Sequence, residues 1–335
     1  MNRRNRTGRA AWWVLGIGFL LAAGSGGADD RDGSSPPAVV RREVDDATIE
    51  RLRRLHYVES AEVRLVLLPA SVTDRRGRVV PGLDQDDFRL FDDQVRQRIR
   101  YFSADAAEPI SIAFLLDVSG SMRFGEKLRH AKEAIRHLVD RQRPGDRFAL
   151  ICFADDQVAW VTDFTEDRAR FLRRLEVQEG YGQTALHDAV AAAPDLVDDS
   201  VLGRKAIVLV TDGVDNFSEL DPTAAIDLAQ RVNVPIYTIG FLAVPEKLLP
   251  RDTTAAYLAN LRSFSAETGG ALFAVYDPAD LKEAASRLAS VLHHQYLIGY
   301  YPEVETREDR FHRIRLETGR KRLVVRTRTG YYPGD

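Results

Sequence analysis

The chain has 335 residues, of which 44% are hydrophobic and 29% are charged. Its formal net charge of -3 argues against a nucleic-acid-binding protein, because such proteins usually carry a basic face and a high isoelectric point. This length is enough for one large domain and a smaller one. Cys152 is the single cysteine, so no internal disulfide can form and stability must come from burial of the core.

The first residues have the pattern of an export signal. Several arginines precede an apolar run from Ala10 to Ala23, and small residues follow up to Ala28. We predict that residues 1–28 are a cleaved signal peptide of a protein that is exported to the periplasm or secreted. The alternative is an uncleaved anchor in the cytoplasmic membrane at residues 10–28, since the run approaches the ~20 residues that span a bilayer.

Two β-rich segments flank a longer middle section. Residues 29–56 begin with a stretch rich in Asp, Gly, Ser and Pro and form a predicted linker. Residues 57–105 then contain alternating apolar runs separated by turn signals, and residues 296–335 are β-rich without a helical pattern. We predict that these two flanks pair with each other into a small antiparallel β module.

The middle section, residues 109–295, alternates short apolar strands with amphipathic helices. This rhythm predicts an α/β fold of the Rossmann-like type, with a doubly wound, mostly parallel sheet and helices on both faces. A helix is expected from Phe124 to Asp140 and another from Thr184 to Val197. Pro194 is expected to kink the second helix or to end its first part.

Oxygen-bearing side chains stand at the ends of two predicted strands and in one loop that opens a helix. Asp117 follows the strand at Ile112–Leu116, Asp212 follows the strand at Ala206–Val210, and Thr184 lies in the loop. Ligands of open α/β sheets bind outside the carboxyl ends of the strands, so we expect these loops to meet. Ser119 and Ser121 are two residues apart on a tight loop, and their hydroxyls can face one point.

This set of oxygens favours a hard cation. Carboxylates and hydroxyls without His or Cys predict Mg²⁺, with Mn²⁺ or Ca²⁺ as alternatives. Because the hydroxyl ligands are neutral, the ion would remain electrophilic. We therefore expect an acidic group of another molecule to complete its coordination.

Three short segments carry a resemblance to a known family. The segment DVSGS, the Thr of GQTAL and the segment TDG resemble the metal-ion-dependent adhesion site of von Willebrand factor A (VWFA) domains in order, spacing and strand context. The flanks are similar to exported bacterial VWFA-related proteins that are common in Acidobacteria. The loop Gly180–Gln183 departs from the Gly-Gly-Thr form usual in the family. The resemblance implies a metal site formed by Asp117, Ser119, Ser121, Thr184 and Asp212.

Three functions are open at this point. The first is a non-enzymatic binding module whose metal coordinates a carboxylate of a partner protein. The second is a magnesium-dependent phosphohydrolase with Asp117 as nucleophile, although Ser119 stands where such enzymes need a second Asp as acid and base. The third is an envelope scaffold in which the metal only supports folding.

Other polar residues near these motifs have structural interpretations. His187 and His293 are expected to pack or to lie on helix surfaces. Asp188 is expected to lie on the surface or to support a metal ligand. Asp215 and Asn216 are expected to form a turn or a helix cap rather than to bind the ion.

Overall fold

The computed structural model of the chain describes residues 65–104, 108–198, 204–242, 251–302 and 310–332. The predicted signal or anchor at 1–28 and the predicted linker at 29–56 lie outside the described residues. Among the described residues, no helix combines the length and the apolar character that a membrane crossing requires.

The described residues form fourteen strands and six α-helices. The strands are β1 Val66–Asp74, β2 Phe88–Asp92, β3 Val95–Gln97, β4 Ile99–Ser103, β5 Ile110–Asp117, β6 Arg147–Ala154, β7 Gln157–Thr165, β8 Arg204–Thr211, β9 Ile236–Phe241, β10 Leu272–Val275, β11 Gln295–Tyr300, β12 His312–Thr318, β13 Leu323–Arg326 and β14 Gly330–Tyr331. The helices are α1 Lys127–Val139, α2 Arg168–Glu176, α3 Leu186–Asp198, α4 Pro222–Ala229, α5 Arg251–Thr268 and α6 Leu281–His293.

A six-stranded sheet in the order β10-β9-β8-β5-β6-β7 forms the centre of the α/β part. Its strands run parallel except β7, which pairs with β6 in the antiparallel sense. Every residue of β5 is buried, because the strand lies between β6 and β8 and is covered on both faces. A continuous apolar run is the expected pattern for such a strand.

Helices cover both faces of the central sheet. Phe114 of β5 packs toward α1, α2 and α6, and its ring lies 5.6 Å from that of Phe171. Leu115, the next residue, points to the opposite face and packs with residues of α3, α4 and α5, such as Leu186 and Phe264. The prediction of a doubly wound, mostly parallel α/β sheet is therefore confirmed.

Two helix boundaries differ from the prediction. The helix predicted from Phe124 begins at Lys127, because Phe124 is extended (ψ 138°) and both Gly125 and Glu126 have positive φ. The helix predicted from Thr184 to Val197 begins at Leu186 and ends at Asp198, so of the two outcomes expected at Pro194 the helix does not end there. Burial of the residues around Pro194, Ala193 among them, holds α3 against the sheet and outweighs the lost backbone hydrogen bond.

The flanking segments form two four-stranded sheets rather than one. Their orders are β13-β1-β11-β4 and β14-β12-β2-β3, and each sheet contains strands from both ends of the described chain. β1 pairs antiparallel with β11, and β2 pairs antiparallel with β12. One apolar core joins the two sheets, with Leu68, Leu90, Ile298 and Leu316 among its buried members. The predicted pairing of the flanks is confirmed.

Asp146 connects the beginning of the α/β part to its end through hydrogen bonds. One carboxylate oxygen accepts a hydrogen bond from the amide of Ile110, the first residue of β5, at 3.0 Å. The other lies 2.8 Å from Nε2 of His293, the last residue of α6, and accepts from the amide of Arg143 at 2.8 Å. Asp146 is 1% exposed, so these contacts are shielded from water.

Asp146 predicts a pH-dependent contribution to stability. Burial raises the pKa of its carboxyl, but the hydrogen bonds from His293 and from two backbone amides outweigh burial and hold the pKa below its ordinary value of 3.8. A carboxyl with a lowered pKa stabilises the fold above its unfolded pKa and loses that effect as pH falls through its folded pKa. We expect Asp146→Ala to lower the free energy of unfolding by about 3 kcal/mol at neutral pH.

Urea denaturation at pH 7 and at about pH 3.5 checks this prediction. The difference between wild type and Asp146→Ala should shrink at the lower pH, whereas the exposed control Asp227→Ala should match the wild type at both. A variant as stable as the wild type at pH 7 would contradict the assigned role.

Candidate metal site

The candidate site lies at the carboxyl ends of two adjacent parallel strands, β5 and β8. Asp117 is the last residue of β5, and Asp212 directly follows Thr211, the last residue of β8. The chain leaves β5 toward β6 on one side, while β8 lies on the other side of β5. This is the switch point at which open α/β sheets bind ligands.

Asp117 is completely buried, at 0% exposure. Its Oδ1 accepts a hydrogen bond from the amide of Ser119 at 2.9 Å, and its Oδ2 accepts one from the hydroxyl of Thr211 at 2.6 Å. Burial, together with the nearby negative charge of Asp212, raises the pKa of the Asp117 carboxyl to about 7. The two carboxyls thus lie close enough to repel each other, and a cation beside them would relieve that repulsion.

Asp212 has a positively charged partner that the sequence motifs did not indicate. Its Oδ2 lies 2.8 Å from the ammonium of Lys127, the first residue of α1, and the side chains are 1% and 13% exposed respectively. Its Oδ1 accepts a hydrogen bond from the amide of Val214 at 3.2 Å. The feature of the sequence that points to this ion pair is the position of Lys127, which is the first lysine after the DVSGS loop and begins the next helix.

The hydroxyls of Ser119 and Ser121 face each other, with their Oγ atoms 3.1 Å apart. Adjacent ligands of an octahedral Mg²⁺ with bonds of ~2.1 Å are about 3.0 Å apart, so both hydroxyls fit neighbouring positions of one ion. Ser119 is extended, and the chain turns into a 3-10 segment from Gly120 to Glu126. This turn brings the two side chains to the same side of the loop.

The loop that precedes Thr184 packs directly on the serine loop. The amide of Gly120 donates to the carbonyl of Gly182 at 3.0 Å, and the amide of Tyr181 donates to the carbonyl of Val118 at 2.7 Å. A Cβ at Gly120 would lie 3.0 Å from the Gly182 oxygen, which explains the glycine at that position. Gly182 itself has a φ of +65°, a left-handed conformation that glycine adopts without strain.

Backbone contacts also fix Thr184 to the loop that follows β8. Its amide donates to Oδ1 of Asn216 at 2.9 Å, and its carbonyl accepts from the amides of Asn216 and Phe217 at 3.1 Å. Thr184 is 1% exposed. The loops of all five predicted site residues are therefore joined by direct hydrogen bonds at one end of the sheet.

Other acidic residues near the site hold its loops in place. Asp188 accepts hydrogen bonds from the amides of Glu219 and Leu220 at 3.0 Å, and the Asp215 carboxylate accepts from the hydroxyl of Ser218 at 2.5 Å. His187 is buried and packs its ring 5.8 Å from that of Phe264. His187 packs as the sequence suggested, whereas Asp188 is half-buried and holds the loop after β8 instead of lying on the surface or supporting a predicted metal ligand.

The donor set is chemically suited to a hard divalent cation. It combines two carboxylates and the hydroxyls of two serines and a threonine, and the contacts described above involve no sulfur or imidazole ligand. Asp117 and Asp212 would supply the negative charge, and the serine hydroxyls would bind without adding charge. Such an ion would supply electrophilic character toward an incoming carboxylate.

Comparison with known proteins places this fold in a family. A sequence model of the von Willebrand factor type A domain matches residues 111–287. An uncharacterized protein from Borreliella burgdorferi is 33% identical over 153 residues, which cover 43% of this chain and 43% of that protein. Inter-alpha-trypsin inhibitor heavy chain H4 from Homo sapiens is 27% identical over 137 residues, which cover 37% of this chain and 15% of that protein.

The chain thus spans less than half of the length of these two relatives. Among solved structures, a von Willebrand factor type A protein from Catenulispora acidiphila is 15% identical, with a TM-score of 0.47 and coverage of 83% of this chain and 76% of that chain. The family match over residues 111–287 includes more than half of the chain and every residue of the candidate site. The protein therefore belongs to the von Willebrand factor type A domain family.

Proposed function

We propose that this chain is an exported protein-interaction module that uses a divalent cation, with Mg²⁺ as the first choice, to bind a carboxylate of a partner protein. Asp117, Ser119, Ser121, Thr184 and Asp212 would hold the cation. The observation that carries the proposal is the meeting of two buried carboxylates and a facing pair of serine hydroxyls at the switch point of the sheet. Domains of this family are generally protein-interaction or adhesion modules.

Exposed aromatic side chains on the same loops support a role in partner binding. Phe124 is 73% exposed, Tyr181 is 50% exposed and Phe217 is 42% exposed. Each lies on a different one of the three loops that carry the predicted metal ligands. Aromatic residues are enriched in protein interfaces relative to the rest of the protein surface. We therefore place the partner over these loops, with its carboxylate directed at the cation.

The burial of Asp117 weighs against the alternative of a phosphohydrolase. A nucleophilic aspartate must be within reach of its substrate, but Asp117 has no exposed surface. Ser119 also occupies the position where such enzymes place an acid and base. A role in binding, without bond making or breaking, agrees better with this geometry.

We predict that removal of the serine hydroxyls weakens cation binding. The double variant Ser119→Ala, Ser121→Ala should bind Mg²⁺ at least tenfold more weakly, because it loses two ligands without losing charge. In the wild type, Mg²⁺ at 100 times its Kd should add about 2.7 kcal/mol to the free energy of unfolding. Isothermal titration and thermal unfolding with and without Mg²⁺ measure both effects.

Ser286→Ala is a suitable control, since its hydroxyl donates to the Lys282 carbonyl within an exposed turn of α6. Equal stabilisation of wild type and the double variant by Mg²⁺ would refute the assigned ligands. Stabilisation of the wild type by Mg²⁺ without any cation-dependent partner would favour the scaffold alternative.

Lys127 is predicted to compete with the cation for Asp212. Lys127→Met removes a largely buried ammonium and leaves the buried Asp212 carboxylate without its partner, so the free energy of unfolding without divalent ions should fall by about 3 kcal/mol. Mg²⁺ affinity should rise about tenfold, because the ion no longer has to displace the ammonium. The exposed Lys282→Met is the matched control. A lower Mg²⁺ affinity in Lys127→Met would show that the lysine supports the cation site instead.

We predict that removing the exposed aromatic side chains weakens partner binding without changing metal binding. Phe124→Ala and Tyr181→Ala should reduce capture of the partner from envelope extract at least tenfold and leave Mg²⁺ affinity unchanged. Capture by the wild type should also be lost in EDTA. Tyr101→Ala changes an exposed tyrosine of β4 and should behave as wild type. Capture that survives both EDTA and the loss of the aromatics would contradict the proposal.

A further inference from the structure

We propose that the β module contains a second metal site, formed by Asp92, Asp93 and His312, which binds a divalent transition-metal ion such as Zn²⁺. The carboxylate oxygens and the imidazole nitrogen of these residues lie within 4.8 Å of one another. They come from the end of β2, the turn that follows it and the first residue of β12. The site is separate from the oxygen-only site at β5 and β8 and does not depend on it.

The distances within this cluster fit a metal better than hydrogen bonds. Nδ1 of His312 lies 3.5 Å from Oδ1 of Asp92 and 3.3 Å from Oδ2 of Asp93. A charge-assisted hydrogen bond between such groups would be about 2.7–2.9 Å long. Two ligands on a tetrahedral Zn²⁺ with bonds of ~2.0–2.2 Å are about 3.3–3.6 Å apart.

A buried oxygen without a partner points into the cluster. Asp92 is 5% exposed, and among the described residues its Oδ1 has no hydrogen-bond partner. His312 is 7% exposed, and its Nε2 also has no hydrogen-bond partner in the described part of the chain. Buried polar atoms are rarely left in this state, because the loss of water is not compensated. An ion between the carboxylates and Nδ1 would satisfy Oδ1 of Asp92.

The surrounding residues hold the ligands in the required orientation. The other oxygen of Asp92 accepts hydrogen bonds from the hydroxyls of Tyr300 at 2.8 Å and Tyr331 at 3.0 Å. Oδ1 of Asp93 accepts from the amide of Arg313 at 3.0 Å, which leaves its Oδ2 toward His312. Ligating carboxylates in metalloproteins commonly have their second oxygen fixed in this way.

One side of the cluster is open to solvent. The Asp93 side chain is 27% exposed, and the guanidinium of Arg310 lies 3.2 Å from its Oδ2. Arg310 is itself 65% exposed, so its side chain can move away when an ion enters. A water molecule would then complete four-coordination on this side. An imidazole beside carboxylates favours Zn²⁺ over Mg²⁺, in contrast to the first site.

Such an ion would join the two ends of the described chain. Asp93 and Arg313, which pair beside the cluster, are 220 residues apart in sequence. β2 and β12 already pair by hydrogen bonds, and a shared ion would cross-link them at one end. We therefore expect Zn²⁺ to stabilise the β module in particular.

Titration of the full chain with Zn²⁺ and Co²⁺ tests the proposal. Wild type should bind one Zn²⁺ in competition with excess Mg²⁺, and Co²⁺ should give the intense visible absorption of a four-coordinate ion. Asp93→Asn and His312→Gln should each weaken Zn²⁺ binding at least tenfold and remove the Co²⁺ band. His130→Gln, which changes a histidine of α1 outside the cluster, should match the wild type.

The double variant Ser119→Ala, Ser121→Ala separates this proposal from the first site. It should retain the Zn²⁺ affinity and the Co²⁺ band of the wild type while it loses Mg²⁺ binding. Circular dichroism shows whether each variant is folded, and Asp93→Asn is the variant that perturbs burial least. Wild-type Zn²⁺ affinity in folded Asp93→Asn, or a Co²⁺ spectrum of a six-coordinate ion in the wild type, would overturn the proposal.

Discussion

The candidate site depends on two carboxylates held close together at the ends of neighbouring strands. Asp117 and Asp212 are both buried, and the negative charge of Asp212 helps to raise the pKa of Asp117. The ammonium of Lys127 compensates part of this charge. Buried like charges are costly unless a cation is near, so this pair fixes what the site can do. We propose that this pair binds a cation and does not act as a nucleophile.

The surrounding loops preserve this arrangement through backbone hydrogen bonds and through the carboxylates of Asp188 and Asp215. The close approach at Gly120 and the bonds of Thr184 to Asn216 join the loops around the carboxylates. Because these hydrogen bonds between the loops do not involve the exposed aromatic side chains, those side chains remain available for a partner. The two sites differ in the groups beside their carboxylates. Serine hydroxyls lie beside them at the first site, whereas an imidazole faces two carboxylates in the cluster at Asp92, Asp93 and His312.

The alternation of strands and helices was sufficient to predict the α/β sheet, and strand ends were sufficient to predict which loops meet. The sequence could not reveal Lys127 as the partner of Asp212, because the contact joins residues 85 positions apart and depends on where α1 begins. That start is displaced by the positive φ of Gly125 and Glu126, a local effect that periodicity does not show. The division of the flanks into two sheets, and the cluster that it creates around His312, also depend on long-range pairing.

Whether the carboxyl ends of β5 and β8 hold a divalent cation is tested by a crystal structure grown with Mn²⁺, in which anomalous scattering locates the ion. We expect a strong peak at the carboxyl ends of β5 and β8, within bonding distance of the hydroxyls of Ser119 and Ser121. We also expect the Lys127 ammonium to move away from Asp212 in that crystal. An anomalous map without a peak at the serine pair, at saturating Mn²⁺, would contradict the claim that this family site holds a divalent cation.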